Sequence, residues 1–441
     1  MKRLFHIPDQ EAARTLAILR LMLHNYHPRD FEIRLWNGDQ LPSETSSPRF
    51  TLVLKHPDVL RSMLRDTTTD LSIAEAYICG KLGVEGDLEA AMPMAQHLMS
   101  RRWDASTVAR IGWQLLRIPK GLHRSNGQRP ARLRGELHSI ERDRQAVTFH
   151  YNVSNDFYAL WLDQRMVYSC AYFESADEDL DTGQERKLDY LCRKLRLVPG
   201  ERLLDIGCGW GGLIIHAAQR YGVQALGITL SQNQAMLANE RIARGGLQDR
   251  CRVEIRDYRD MSDFSGFDKI VSVGMFEHVG ESRLPLYFGH AWQLLRPGGV
   301  FLNHGIALRA TDRRQAGPTF IGRYVFPDSE LVPINAALRY AEQASFEVRD
   351  VESLREHYAL TLRHWARRLE LHQDQVLQVV GKPTFRVWQL FLHGSAYFFT
   401  SGLLNLYQAL LLKPDKGRSG LPLTRKDWYR SPEKSREQKR S

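Results

Sequence analysis

The run Leu203-Leu204-Asp205-Ile206-Gly207-Cys208-Gly209-Trp210-Gly211-Gly212 constrains this chain more than any other. An apolar, strand-like stretch ends in a carboxylate and a glycine-dense turn. Leu213, Ile214, Ile215, Ala217 and Ala218 then follow at helical density. Strand, glycine turn and helix open a nucleotide-binding α/β unit, because glycines let the backbone turn tightly and lie against a ligand. A dinucleotide site would carry an acidic residue at the end of the second strand, about 20 residues on. Here that strand, Ala225 to Thr229, runs into Leu230-Ser231-Gln232-Asn233-Gln234 with no acid. The pattern argues against a dinucleotide and for another adenosyl cofactor.

The chain beyond repeats the alternation. Lys269–Val273 reads as a fourth strand, and Arg296-Pro297-Gly298-Gly299 turns into a fifth, Val300–His304. Helical stretches between strands at this spacing predict a parallel, doubly wound sheet, a Rossmann-like α/β domain. Ligands of such sheets sit beyond the C-terminal strand ends. Those ends carry Asp205, Thr229, Asp257, Glu277 and His304.

With 441 residues the chain is long for one domain. Residues 1–100 read as a small α+β domain. Its expected strands are Phe31–Trp36 and Phe50–Leu54, with the Asn37-Gly38 turn between them, and its helices Pro57–Leu64 and Ser72–Tyr77. Residues 101–146 read as a basic linker, 147–412 as the α/β domain, and 413–441 as a basic tail, disordered over its last 25 or so residues. The net charge of +10 resides in those two basic segments. Residues 101–145 hold eleven Lys and Arg against four Asp and Glu, and residues 413–441 hold ten against four. Such segments attract phosphates of nucleic acid or of anionic lipid. Trp103, Ile111, Trp113, Leu115, Leu116, Ile118 and Leu122 lie among the first set of charges. That mixture suits an interfacial amphipathic helix, or equally a helix packed on its own domain.

The five scattered cysteines include no C-x-x-C pair, so neither a zinc site nor a disulfide framework is indicated, and a reducing cytoplasm is expected. No signal peptide is expected at the N-terminus. Val387–Leu412 lacks any Asp, Glu, Lys or Arg, long enough for a membrane span. Its Gln, His, Asn, Ser and Gly residues favour a buried helix followed by a last strand, Leu403–Leu412.

Further segments point to a family. Asp205-x-Gly207-x-Gly209 is the S-adenosylmethionine form of the turn. Before it come His150–Tyr158 and Met166–Phe173. After it come Val273–Gly280, Leu302–Ile306, Tyr324–Pro327 and His357–Leu362. In this order, from about Thr148 to Leu412, they resemble cyclopropane-fatty-acyl-phospholipid synthases, the family that includes the mycolic acid cyclopropane synthases. The N-terminal unit, with Ala74–Tyr77 and Glu85–Leu88, looks like the extra domain of the phospholipid-acting branch.

The resemblance implies transfer of a methylene from S-adenosylmethionine to a cis double bond of an unsaturated phospholipid acyl chain. Methyl transfer gives a carbocation, and proton loss to a bound bicarbonate closes the ring. A sibling reaction giving methyl- or methylene-branched chains uses the same cation. The resemblance puts the bicarbonate among Cys170, Glu277, His304, Ile306 and Tyr358, with Cys170 and Ile306 using backbone groups and Glu277 orienting His304. It puts Gly207, Gly209 and Gly211 under the methionine and ribose, with Asp205 on the same turn. Thr229 and Gln234 fall near the ribose, Asp257 and Tyr258 near the adenine, and Tyr168 and Ser169 over the methionine end. No metal is implied. The expected partners are the phospholipid and the inner face of the membrane, bound peripherally by a cytoplasmic protein, with room for a homodimer. Nucleic acid is not expected, because Val273-Gly274-Met275-Phe276 stands where amine-directed enzymes carry N/D-P-P-Y. Phe320–Ile334 is expected to line the entry of the acyl chain or to act as a lid.

Overall fold

In a computed structural model, residues 9–64, 70–100, 103–118, 130–151, 153–311 and 317–429 are described. They form two compact units. The first comprises residues 1–131, 313–325 and 376–397, and the second residues 132–312, 326–375 and 398–441.

The first unit opens with the helix Gln10–Met22. Asp9 caps it by accepting from the Glu11 and Ala12 amides. Its buried residues Ala12, Thr15, Ile18, Leu19 and Met22 recur at helical spacing, which fixes the face turned inward. Four strands follow: β1 (Phe31–Arg34), β2 (Gln40–Leu41), β3 (Phe50–Leu54) and β4 (Leu82–Gly86), in the order β2-β1-β3-β4. The Asn37-Gly38 turn joins β1 to β2, not to Phe50–Leu54 as the sequence implied. β1 and β3 are parallel, in register Phe31↔Phe50, and these two rings stack 4.7 Å apart. The helices Val59–Met63 and Leu71–Ile78 form where expected.

The expected linker is largely structured. Ala105–Leu115 is a helix, and Ile111, Leu115 and Ile118 pack on the core of the first unit. Apolar residues at helical spacing gave this segment a face to bury, and its charge did not keep it extended. The boundary between units falls at Ala131/Arg132, not at 100 and 147, and the helix Ile140–Tyr151 belongs to the second unit. Residues 101–102 and 119–129 lie outside the described residues.

The second unit is built on β5 (Arg202–Ile206), β6 (Gln224–Thr229), β7 (Cys251–Ile255), β8 (Phe267–Val273), β9 (Leu295–Leu308), β10 (Val332–Pro333), β11 (Glu347–Ser353) and β12 (Leu404–Leu412). The order is β11-β12-β9-β8-β5-β6-β7, with β10 added to the end of β9. β5 to β9 run parallel, and β12 lies antiparallel between β9 and β11. Both faces are covered. Along β5, Leu203 enters one buried cluster and Leu204 the opposite one. Strand order reverses at β5, between β6 and β8, so the crevice of the sheet opens beside the glycine turn.

The helix Gln373–Thr400 breaks at Gly381 (φ 73°), and β12 follows it. No described helix is long and apolar enough to cross a membrane. The tail is ordered further than expected. Residues 413–429 continue from β12, and Trp428, 2% exposed, joins the cluster around Leu195 and Leu412. The side chains of Lys194, Arg196 and, from the tail itself, Arg425 lie over its ring, so a buried aromatic anchors a segment whose basic composition implied disorder. Residues 430–441 lie outside the described residues.

Candidate active site

The turn after β5 stands as its glycines require. Gly207 has φ 82°, and a Cβ there would come 2.9 Å from Met275. Its amide and that of Cys208 both donate to the Ile228 carbonyl, tying the turn to β6. Gly209 has φ 54° with nothing within 4 Å of where a Cβ would stand. Gly211, φ 78°, precedes the helix Gly212–Tyr221 and faces Ala238 instead. A cavity lies over this turn. Tyr168, Ser169, Asp205, Gly207, Gly209, Thr229, Gln234, Asp257 and Tyr258 line it, whereas Gly211 does not. Gly211 shapes the packing of the helix below, so an expected contact with the methionine or ribose is not visible there.

The floor of the cavity holds two buried titratable groups. Burial pushes the Asp205 carboxyl up to about 7, against the pull of Lys187, and its Oδ1 has no hydrogen-bond partner. Lys187, 1% exposed, is pushed down to about 8 by burial, and its Nζ donates to Ser169 Oγ at 2.8 Å. Sequence reasoning missed Lys187. Its signal was a lysine on the otherwise apolar stripe Leu180, Leu188, Leu191 and Leu195.

At the end of β6, the Thr229 hydroxyl donates to Gln234 Oε1 at 2.8 Å, which leaves the Gln234 NH2 to donate elsewhere. After β7, Arg259 clamps Asp257 with Nε and Nη2, each 2.7 Å from a carboxylate oxygen, and reaches Asp143 at 2.8 Å. The Asp257 carboxylate is therefore fixed in place rather than free to swing. Burial raises the neighbouring Tyr258 phenol to about 12.

Beside the cavity lies a second group. Glu277 sits in the short turn Phe276–His278 after β8. Its Oε1 accepts from the Ile306 amide at 2.8 Å, while Oε2 is buried with no hydrogen-bond partner. Burial pushes this carboxyl up to about 7. Gly305 makes the approach possible, since any side chain there would overlap the Phe276 ring. His304, on β9, is buried, and burial holds it far below the ordinary imidazole value, so it is neutral. Its Nδ1 lies 3.2 Å from Gln408 Nε2, and Gln408 Oε1 accepts from Lys194 Nζ at 2.9 Å. Lysine only donates, so the Gln408 amide nitrogen must face the imidazole. Nδ1 is thus the acceptor, and the ring proton sits on Nε2. Gln408, on β12, supplies the orientation that sequence reasoning gave to Glu277.

Desolvation pushes the Tyr358 phenol well up, and the neighbouring Glu277 carboxyl adds to it. The Cys170 thiol is fully buried, donates to the Ala171 carbonyl at 3.1 Å, and is pushed up by burial, so it is no nucleophile. Around these groups stands a cluster of aromatic rings. Tyr168 lies 5.6 Å from Tyr158, 5.4 Å from Trp161 and 5.2 Å from Trp365, and Trp365 lies 6.0 Å from Tyr358. Of the expected entry segment, Phe320–Tyr324 is a helix of the first unit, and Phe326 stacks on His150 in the second at 4.0 Å. Among the described residues no group of His, Cys, Asp and Glu is placed to hold a metal ion.

Bicarbonate finds a partial fit here. The Glu277 Oε2, buried without a partner, can accept from a hydroxyl, and the Tyr358 hydroxyl and His304 Nε2–H are donors of the kind an anion needs. The Ile306 amide, expected to contribute, is taken by Glu277.

The model of the mycolic acid cyclopropane synthetase family matches residues 138–409. A probable fatty acid methyltransferase of Pseudomonas putida is 41% identical over 419 residues, covering 94% of this chain and 100% of that protein. The cyclopropane-fatty-acyl-phospholipid synthase of Escherichia coli K12 is 36% identical over 261 residues, 59% of this chain and 66% of that one. Among solved structures, the cyclopropane synthase MmaA2 of Mycobacterium tuberculosis superposes with a TM-score of 0.58 at 33% identity, covering 61% of this chain and 98% of that one. The mycolic acid cyclopropane synthase CmaA1, complexed with S-adenosylhomocysteine and CTAB, gives the same values.

Proposed function

Since the chain belongs to the mycolic acid cyclopropane synthetase family, and so to the S-adenosylmethionine-dependent methyltransferases, we propose that it is a cyclopropane-fatty-acyl-phospholipid synthase. In this reading the π electrons of a cis double bond in a phospholipid acyl chain attack the methyl group, and the S–CH3 bond breaks. The resulting carbocation loses a proton from the new methyl, and the freed C–H electrons close the three-membered ring. Bound S-adenosylmethionine supplies the electrophilic methyl. The chain's own residues do the rest. The glycine turn and Gln234 hold the cofactor, with Asp205 beneath. Tyr158, Trp161, Tyr168, Trp365 and Tyr358 keep water from the cation and present ring faces to it. Glu277, His304 and Tyr358 hold the proton acceptor, for which bicarbonate is the anion that suits their donors and the free carboxylate oxygen. The enzyme works in the cytoplasm, peripherally on the inner face of the membrane, as a monomer or homodimer.

The observation that carries this reading is the buried Glu277, with one oxygen held by Ile306 and the other unpartnered. It gives proton abstraction a built site. The sibling reaction, giving methyl- or methylene-branched chains, is favoured by the full-length likeness to a probable fatty acid methyltransferase. Expression in a host that makes unsaturated phospholipids but no cyclopropanes separates the two. Upfield ring-proton resonances in the extracted lipid are expected. Vinylidene or branched-methyl signals in their place, at the same gain in mass or with two further hydrogens, would replace cyclopropanation by the sibling chemistry.

A further inference from the structure

The helix Ala105–Leu115 carries one wide apolar arc, and only one side of it is covered. Ile111 and Leu115, with Ile118 beyond, turn toward the core of the first unit. Arg61 donates to the Leu115 and Ile118 carbonyls and fixes that side. Along the rest of the arc Val108, next to Leu115, is 54% exposed, Trp113 54% and Leu116, just past the helix, 75%. At 100° per residue, Ala105, Ala109 and Gly112 fall between these three. The exposed arc is therefore apolar along its whole width, with no charged residue inside it. Arg117 and Arg110 border it on the Trp113 side, just past Ser106, and the covered Leu115 borders it on the other. Neither arginine makes an ion pair among the described residues, and the Arg117 guanidinium lies over the Trp113 ring, 3.1 Å from its centroid. Arg101, Arg102, Lys120 and Arg124 flank the helix in sequence.

We propose that this arc docks the protein on an anionic lipid bilayer. Val108, Trp113 and Leu116 enter the boundary between headgroups and acyl chains, and Arg110 and Arg117 bind lipid phosphates. Shape and charge favour a bilayer over a protein groove. The arc is the convex side of a single helix, it joins an indole to aliphatic side chains, and its rim is cationic. An extended anionic plane satisfies every one of these groups at once, and each Arg gains from the surface potential. The purpose of docking rests on the proposed lipid substrate, but the binding itself is read without turnover.

The test uses the full chain with vesicles of phosphatidylethanolamine and phosphatidylglycerol, and with phosphatidylcholine alone. Binding is expected on the anionic vesicles and is expected to fall with salt. The double variant Trp113→Glu/Leu116→Glu should lose at least about tenfold in partitioning, since two apolar anchors become anions facing phosphates. Leu371→Glu, at an equally exposed leucine of the second unit (71%), should bind as the wild type. Wild-type circular dichroism and an unchanged urea-unfolding profile of the double variant show that its first unit folds. Wild-type partitioning by the double variant would overturn the proposal. So would failure of the wild type to bind anionic vesicles, or a dimer dissociated by the double substitution with vesicle binding intact, which would make the arc an interface between copies. A wild type that binds vesicles yet makes no modified lipid would refute the proposed reaction and leave the docking surface standing.

Discussion

Replacing Glu277 by glutamine should change how stability depends on pH. The carboxyl is raised from its ordinary 4.5 to about 7 because burial disfavours its charge. At about 1.4 kcal/mol per pH unit, that shift costs the folded state about 3 kcal/mol once the group is ionised. Below pH 4.5 the group is protonated in both folded and unfolded chains, and the cost is absent. The cost grows as pH rises from 4.5 and is complete above about 7. Glutamine stays neutral throughout, and its carbonyl can keep the 2.8 Å bond from the Ile306 amide. The wild type should therefore lose about 3 kcal/mol relative to Glu277→Gln between pH 4.5 and 8. Asp205 and the other titrating groups are common to both proteins and cancel in the difference. Urea unfolding of the two proteins at a series of pH values, in bicarbonate-free buffer, measures it. Parallel pH profiles would refute the reasoning, because they would mean that the carboxyl ionises in the folded protein as it does in water. The same variant should keep its cofactor affinity and lose turnover, the pattern of a group needed in the chemical step.

Two further outcomes follow from the geometry. Gly209→Val places a branched side chain at φ 54°, in open space beside the cavity, so calorimetry should show loss of S-adenosylmethionine binding in a folded protein; retained affinity would remove the turn from the cofactor site. Trp428→Ala should cost about 3–5 kcal/mol in urea unfolding, the range for deleting a buried aromatic side chain, whereas no change would mean that the tail before residue 430 is only loosely attached.

The glycine turn was legible because its constraint is local. Backbone conformation and close approach at Gly207 need no distant partner to be read. The parallel strands were legible for a similar reason, since each is a short apolar run bounded by turn residues. The site around His304 was not. Its tautomer depends on Gln408, which lies beside it only because β12 inserts antiparallel next to β9. Lys187 was hidden because a lysine in a helix reads as a solvent-facing charge unless the stripe of leucines around it is followed turn by turn. The Asn37-Gly38 signal did mark a hairpin, but the partner was the two-residue β2, too short to show a pattern. Charge misled in residues 413–429, where Trp428 decided the structure by what it buries; in residues 103–118 Ile111 and Leu115 chose the packed helix, one of the two readings the sequence left open. Among the groups expected from family resemblance to share an anion, the hydrogen bonds run to other partners. The Ile306 amide serves Glu277, and Gln408 serves the imidazole.

Burial raises the Asp205 carboxyl beneath the cavity to about 7, and a group so placed would couple cofactor binding to the uptake and release of protons. A sulfonium carries a positive charge that the thioether left after methyl transfer lacks. A sulfonium held in this cavity would favour the ionised form of the carboxyl and send a fraction of a proton to solvent. When the methyl leaves, the charge leaves the cofactor with it, and the carboxyl takes that proton back. By reciprocity, alkaline conditions tighten the grip on the fresh cofactor and acidic conditions the grip on the spent one. The ambient pH then sets how strongly the spent cofactor competes with the next methyl donor.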